Sequence, residues 1–142
     1  MEYKRNYETI VFTKALITFN KRVLMIKRSN YAGSGVGEWD IPGGGLIFDE
    51  SPLDGINREI KEETGLAVRV DRLLLATTIV KSPTWQSIGL TYLGYGESDK
   101  VTLSHEHTDF IWATMEQLKE RLFKPQLEDY TRNSIFEALN ID

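Results

Sequence analysis

Cysteine is missing from this 142-residue chain, and histidine occurs only twice. Without cysteine the chain can form no disulfide and has no thiol nucleophile, and it has few of the cysteine and histidine ligands that zinc prefers. Its apolar runs are shorter than the roughly 20 residues that a membrane-spanning helix needs. The first residues also lack the apolar run of a secretory signal. These absences lead us to expect a cytoplasmic protein that does not contact a membrane.

The chain also has no strong excess of charge of one sign. Its 17 basic and 21 acidic residues give a net charge of -4 and a pI of about 5.3. No basic stripe indicates binding to a nucleic acid polymer. Hydrophobic residues make up 41% and charged residues 27%, which is typical of a soluble globular protein. The length predicts a single domain over residues 1–142.

Hydrophobic patterns predict strands and helices in mixed order. Strands are expected at residues 9–19 and 23–26 around a turn at Asn20 and Lys21, and as a long pair at 66–80 and 87–95, with a short strand at 110–113. Helices are expected at 52–64, 115–122 and 127–139, the last two separated by Pro125. The glycine-rich residues 29–38 predict a mobile loop. This order favours an α/β fold with a mixed sheet between helices.

The helix predicted at residues 52–64 has a clear start and stop. Ser51 can cap its first turn, Pro52 suits that turn, and Gly65 suits the end. Helical spacing gives it an apolar stripe that should face the core, made of Leu53, Ile56 and Ile60. The same spacing places three carboxylates on a second face, those of Glu59, Glu62 and Glu63.

Three carboxylates within about one helical turn repel one another unless a cation lies between them. Carboxylate oxygens are hard ligands, so Mg²⁺ is the expected ion, and Mn²⁺ could replace it. An ion held in this way keeps coordination positions for water and phosphate, which suits phosphoryl transfer to water. The alternative is a solvated acidic helix in which Arg58 and Lys61 are surface partners of the glutamates.

Residues 44–66 follow the pattern G-x5-E-x7-R-E-U-x-E-E-x-G-U, where U is aliphatic, at every specified position. This pattern resembles the Nudix box, and the preceding Trp39, Pro42 and glycines resemble the W-x-x-P-G-G run that leads into it. The resemblance implies the Nudix α/β/α sandwich. It also implies metal-dependent hydrolysis of the diphosphate linkage in a nucleoside diphosphate derivative, with release of a nucleoside monophosphate. The alternative is a non-catalytic Nudix-fold module that senses a nucleotide.

The resemblance also implies roles for single residues. Arg58 is expected to orient the box glutamates, with Glu50 as its partner. Glu59 and Glu62 are expected to act in catalysis, and the metal ligands would be Glu59, Glu62, Glu63 and the carbonyl of Gly43. The general base is either a box glutamate or a glutamate on a later loop. Glu97 and Glu106 are the later candidates, and we favour Glu106, while its neighbours His105 and His107 are expected at the surface.

The substrate is a small nucleotide, but the residues do not decide between a nucleoside triphosphate, ADP-ribose and similar compounds. Arg28 ends the second predicted strand and could contact phosphate. Trp39 and Trp85 could stack on a nucleobase, and Trp85 is expected in a loop beside Pro83. Family members often form homodimers, so a homodimer is expected here too. An isomerase with a Nudix fold is a further alternative, although the cysteine expected for that chemistry is absent.

Overall fold

The computed structural model describes residues 6–142, in which seven strands and three α-helices are present. The prediction that no signal segment is present rests on the first residues, most of which lie outside the described part. The single domain over residues 1–142 also stays a prediction. No helix within residues 6–142 is long and apolar enough to cross a membrane. The elements are β1 Glu8–Phe19, β2 Arg22–Arg28, β3 Trp39–Asp40, β4 Gly43–Gly45, α1 Pro52–Thr64, β5 Val68–Ser82, β6 Trp85–Gly96, β7 His107–Ala113, α2 Met115–Arg121 and α3 Lys124–Arg132.

The sheet is mixed, because β1 and β6 run parallel while the other pairs are antiparallel. Asn20 and Lys21 both have positive φ, as a tight hairpin turn requires, and they join β1 to β2. Beyond this turn the two strands diverge, since β1 pairs with β2 only at Phe19 and Thr18. Residues 39–45, which we call the wedge, fill the opening: β3 pairs with β2, and β4 pairs with β1.

Helices cover both faces of the sheet, which confirms the predicted α/β/α sandwich. One core cluster lies between the sheet and the C-terminal helices, and it includes Leu16, Met25, Leu93 and Leu118. The other lies under α1 and includes Ile17, Leu24, Ile56 and Ile60. Adjacent residues of β1 thus enter opposite cores, as the two-residue period of a strand requires.

Helix α1 has the predicted bounds. The Ser51 hydroxyl accepts a hydrogen bond from the Asp54 N–H, and Gly65 ends the helix in the left-handed conformation. Ile56 and Ile60 are buried as predicted. The prediction for Leu53 is wrong, because 51% of this residue is exposed. Leu53 lies in the first turn and is outside the core cluster under α1.

The C-terminal helix begins and ends earlier than the predicted residues 127–139. Pro125 lies in the first turn of α3, where its missing N–H costs no helical hydrogen bond, so α3 starts at Lys124. The helix ends at Arg132, because Ser134 has positive φ, and a short 3-10 helix, Phe136–Ala138, follows. Tyr130 is buried, as are three apolar residues after the helix, Ile135, Phe136 and Leu139.

Ile56 and Leu53 form a matched pair for testing the packing of α1. We expect Ile56→Ala to lower the free energy of unfolding by about 2–5 kcal/mol, because it leaves a cavity in the core. Leu53→Ala should change it by no more than about 0.5 kcal/mol, because its side chain faces solvent. Urea unfolding at neutral pH measures both, and equal losses would contradict the burial of this face.

Candidate active site

Arg58 lies at the centre of the box, and all five of its N–H groups donate hydrogen bonds. Two of them bind Glu50 at 2.7 and 3.0 Å, which confirms the predicted pairing with the loop before α1. The others reach Glu59 at 2.9 Å, Glu62 at 3.2 Å and the carbonyl of Gly45 at 3.2 Å. One guanidinium therefore joins β4, the loop and α1.

Two glycines of the wedge allow close approaches, Gly44 to α1 and Gly43 to β1. A Cβ at Gly44 would lie 2.7 Å from the carboxylate of Glu59, so this carboxylate rests directly on the backbone of β4. A Cβ at Gly43 would lie 1.9 Å from the Thr13 carbonyl oxygen of β1, and Gly43 has a φ of 150°. A side chain at Gly43 would force β4 away from β1, and one at Gly44 would displace the carboxylate of Glu59.

Glu63 is the buried member of the carboxylate group. Its Oε1 accepts a hydrogen bond from the Gly43 N–H at 2.7 Å, and its Oε2 lies 3.6 Å from Nε2 of His107. The His107 side chain is only 2% exposed, and its Nδ1 has no hydrogen-bond partner in the described residues. The prediction of a surface position for His107 is therefore wrong. No local pattern of residues indicates this contact, because it depends on the antiparallel pairing of β7 with β2.

The carboxylates have different electrostatic environments. The hydrogen bonds from Arg58, with one from the Ile47 N–H, lower the pKa of Glu50 to about 2. The same pairing raises the pKa of Arg58. Burial raises the pKa of Glu63 to about 8, although the Gly43 N–H and the charge of Lys14 oppose the rise. Burial and the charge of Arg28 lower the pKa of His107.

The box carboxylates have the chemistry of a divalent-cation site. Three of them, from Glu50, Glu59 and Glu62, share the single positive charge of Arg58, and the fourth, from Glu63, lies against Gly43 and His107. Within residues 6–142 no three acidic or histidine side chains yet converge on one point, because Arg58 draws Glu59 and Glu62 while Glu63 turns to Gly43. The excess of hard anionic oxygens over the single guanidinium indicates a place for added positive charge.

The two loop glutamates considered as general base are both exposed. Glu106 directly precedes β7 and is the neighbour of His107, which contacts Glu63. Its backbone carbonyl accepts a hydrogen bond from the Ser29 N–H, which fixes the main chain at this point. Glu97 follows β6 instead, and its N–H donates to the Ala67 carbonyl. Of the two, Glu106 is tied by its neighbour to the box, while the role of base stays a prediction.

The guanidinium of Arg28 binds carbonyls of its own loop and is not a free cation beside the carboxylate group. Its Nε donates to the Ser34 carbonyl at 2.7 Å, and its Nη2 donates to the Ala32 carbonyl at 2.8 Å. The guanidinium therefore organises the glycine-rich loop, which also contains a short 3-10 helix, Asn30–Ala32. The prediction that Arg28 contacts phosphate finds no support in this geometry.

The two tryptophans predicted to bind a nucleobase occupy different places. Trp39 is half-buried in β3, and Arg121 and Lys27 lie over its ring at 4.8 and 5.9 Å, so cations already cover the indole. Trp85 begins β6 instead of lying in a loop, and it pairs with Glu8. Lys14, which pairs with Gly43 in the sheet, lies six residues after Glu8 in β1. Glu8 and Lys14 are therefore roughly 20 Å apart along the strand. The structure does not bring Trp85 to the carboxylates.

The burial of Glu63 has a consequence for stability in the absence of divalent cations. The unfolded glutamate loses its proton near its ordinary pKa of 4.5, whereas the folded one keeps it up to about 8. Unfolding between these values releases a proton, so Glu63 makes the protein less stable as pH rises. Relative to Glu63→Gln, we expect the wild type to lose up to about 1.4 kcal/mol per pH unit.

Urea unfolding of both proteins in EDTA between pH 6 and pH 8 measures this difference. Comparison with the glutamine variant cancels the contributions of Glu50 and other groups that do not contact Glu63. A difference between the two proteins that stays constant over the range would show that Glu63 is ionised in the folded state.

Comparisons with known proteins agree with the box and the fold. The model of the NUDIX domain matches residues 11–133. A MutT-like protein of Streptomyces ambofaciens is 35% identical over 101 residues, which are 71% of this chain and 60% of that protein. Nudix hydrolase 2 of Arabidopsis thaliana is 37% identical over 59 residues, 42% of this chain and 21% of that protein. This chain therefore spans less than two thirds of the length of either relative.

A solved structure resembles the chain over most of its length. The MutT protein from Methanosarcina mazei Go1 superposes with a TM-score of 0.80 at 27% identity, covering 94% of this chain and 99% of that one. The likeness extends over both layers of helices and the sheet between them, beyond the box itself. With the match to the domain model over residues 11–133, it shows that the chain belongs to the NUDIX domain family.

Proposed function

We propose that this protein hydrolyses the diphosphate linkage of a nucleoside diphosphate derivative, such as a nucleoside triphosphate or ADP-ribose, and releases a nucleoside monophosphate. The observation that carries the proposal is the group of box carboxylates, in which Glu50, Glu59 and Glu62 share the charge of Arg58 while Glu63 binds the Gly43 N–H. A surface helix gains nothing from such an arrangement. A site that takes up a divalent cation, Mg²⁺ or Mn²⁺, together with a polyanionic substrate does.

Each residue of the box has a distinct part in this proposal. The cation would be held by Glu59, Glu62, Glu63 and the Gly43 carbonyl. When bound, it would neutralise charge on the diphosphate. Arg58 and Glu50 orient this group, because their paired hydrogen bonds fix the loop against α1. The backbone of Gly44 supports the carboxylate of Glu59. Glu106 would accept a proton from the attacking water at the edge of the site.

Glu62 provides the most selective test of the cation site. Its side chain is 59% exposed and its only described contact is with Arg58, so the fold does not depend on it. We expect Glu62→Gln to lower kcat by about 100-fold or more while the melting temperature stays close to that of the wild type. The matched control is Glu128→Gln, which removes an exposed charge on α3. Near-normal turnover in folded Glu62→Gln would contradict the proposal.

The substrate is identified by assaying a panel of compounds, once with Mg²⁺ and again with Mn²⁺. It contains ADP-ribose, nucleoside triphosphates including oxidised ones, dinucleoside polyphosphates and nucleotide sugars, and the release of nucleoside monophosphate is measured. One compound turned over far faster than the rest, with its turnover lost in Glu62→Gln, is the expected result. Nucleotide binding without any metal-dependent turnover would instead favour the non-catalytic sensing module.

The general base is tested by comparing two exposed glutamates. We expect Glu106→Gln to lower kcat by about 10²- to 10⁴-fold, as loss of a general base does, with little change in KM. Glu97→Gln should leave both constants unchanged, because Glu97 lies at the end of β6. Full activity of Glu106→Gln, measured on the best substrate of the panel, would move this role to a glutamate of the box.

A further inference from the structure

Lys14 and Asp40 form an ion pair that the proposed reaction leaves unused. Nζ of Lys14 lies 2.6 Å from Oδ2 of Asp40, and the two side chains are only 15% and 22% exposed. Lysine is rarely withdrawn from water to this degree unless a partner compensates its charge. Lys14 belongs to β1 and Asp40 to the wedge, so the pair crosses the opening in the sheet beside the box.

The pair lies next to the carboxylate group. Lys14 is the register partner of Gly43, whose N–H donates to Glu63. Alternation along β1 places Lys14 on the side of Leu16, towards α3, so Lys14 and α1 flank Gly43 from opposite sides of the sheet. Thr91, the neighbour of Lys14 in β6, binds the Tyr130 hydroxyl of α3 at 2.8 Å and confirms this orientation.

Two other cations near the box, Arg58 and Arg28, have more extensive commitments than Lys14. Arg58 uses all five N–H groups, and Arg28 binds two carbonyls of its own loop. Lys14 has a single partner, and its charge already acts on Glu63. Asp40 does not depend on Lys14 for its position, because its Oδ1 accepts a hydrogen bond from the Ile41 N–H at 2.8 Å. The ammonium can therefore leave Asp40 without displacing the wedge.

We propose that Lys14 is a substrate-binding residue, which exchanges Asp40 for a phosphate oxygen of the bound diphosphate. This inference rests on the proposed function. In the free protein, Asp40 holds the ammonium beside the site and compensates its charge. When substrate binds, a charge-assisted hydrogen bond to phosphate replaces the ion pair, so Asp40 competes with the substrate for Lys14.

Competition makes opposite predictions for the two partners. On the best substrate of the panel, we expect Lys14→Met to raise KM by about 10-fold or more, the usual effect of losing a hydrogen bond to a charged group. Asp40→Asn should lower KM, because Asn retains the bond to the Ile41 N–H but no longer holds the ammonium by charge. Lys14→Arg should keep most of the wild-type affinity. Thermal unfolding shows that each variant is folded.

The double variant Lys14→Met/Asp40→Asn separates the exchange from a general effect of charge. If Asp40 acts through Lys14, Asp40→Asn lowers KM when Lys14 is present and has no effect on KM in the Lys14→Met background. The proposal is overturned if Asp40→Asn and Lys14→Met raise KM alike, or if Lys14→Met lowers only the melting temperature, since the pair would then be structural. Absence of wild-type turnover across the panel would instead overturn the proposed function.

Discussion

The site depends on the hydrogen bonds that the guanidinium of Arg58 donates. Its donors bind the loop at Glu50, the strand at Gly45 and the helix at Glu59 and Glu62, so three separate segments take fixed positions around one charge. The strongest of these contacts is with Glu50, whose low pKa keeps it ionised throughout the neutral range. Arg58 thereby allows several carboxylates to lie close together, and it leaves a surplus of negative charge among them.

The sheet contributes the second constraint, because β1 and β2 diverge and the wedge fills the space between them. Gly43 and Gly44 lie in this opening, where the absence of side chains lets Thr13 and Glu59 approach the backbone. The opening thus joins two groups that belong to opposite faces of the sheet: the carboxylates of α1 and the ion pair of Lys14. A substrate that spans it could contact both.

Local signals predicted most of the fold. Capping residues defined α1 to the residue, and runs of hydrophobic residues identified β1, β5 and β6 closely. The wedge strands were missed, because two or three residues are too few to show a period. The burial of His107, the engagement of Arg28 with its own loop and the pairing of Lys14 with Asp40 also escaped prediction. Each depends on contacts between strands or on loop conformation, which sequence spacing does not encode.

The central claim is that the carboxylates around Arg58 form a site for a divalent cation. Titration of the protein with Mn²⁺, with the free ion followed by electron paramagnetic resonance, tests it directly. The account predicts that the wild type binds Mn²⁺ and that Glu59→Gln binds it more weakly, because Glu59 contributes one of the ligands beside Gly44. Equal binding of Mn²⁺ by both proteins, or no binding by either, would contradict the account.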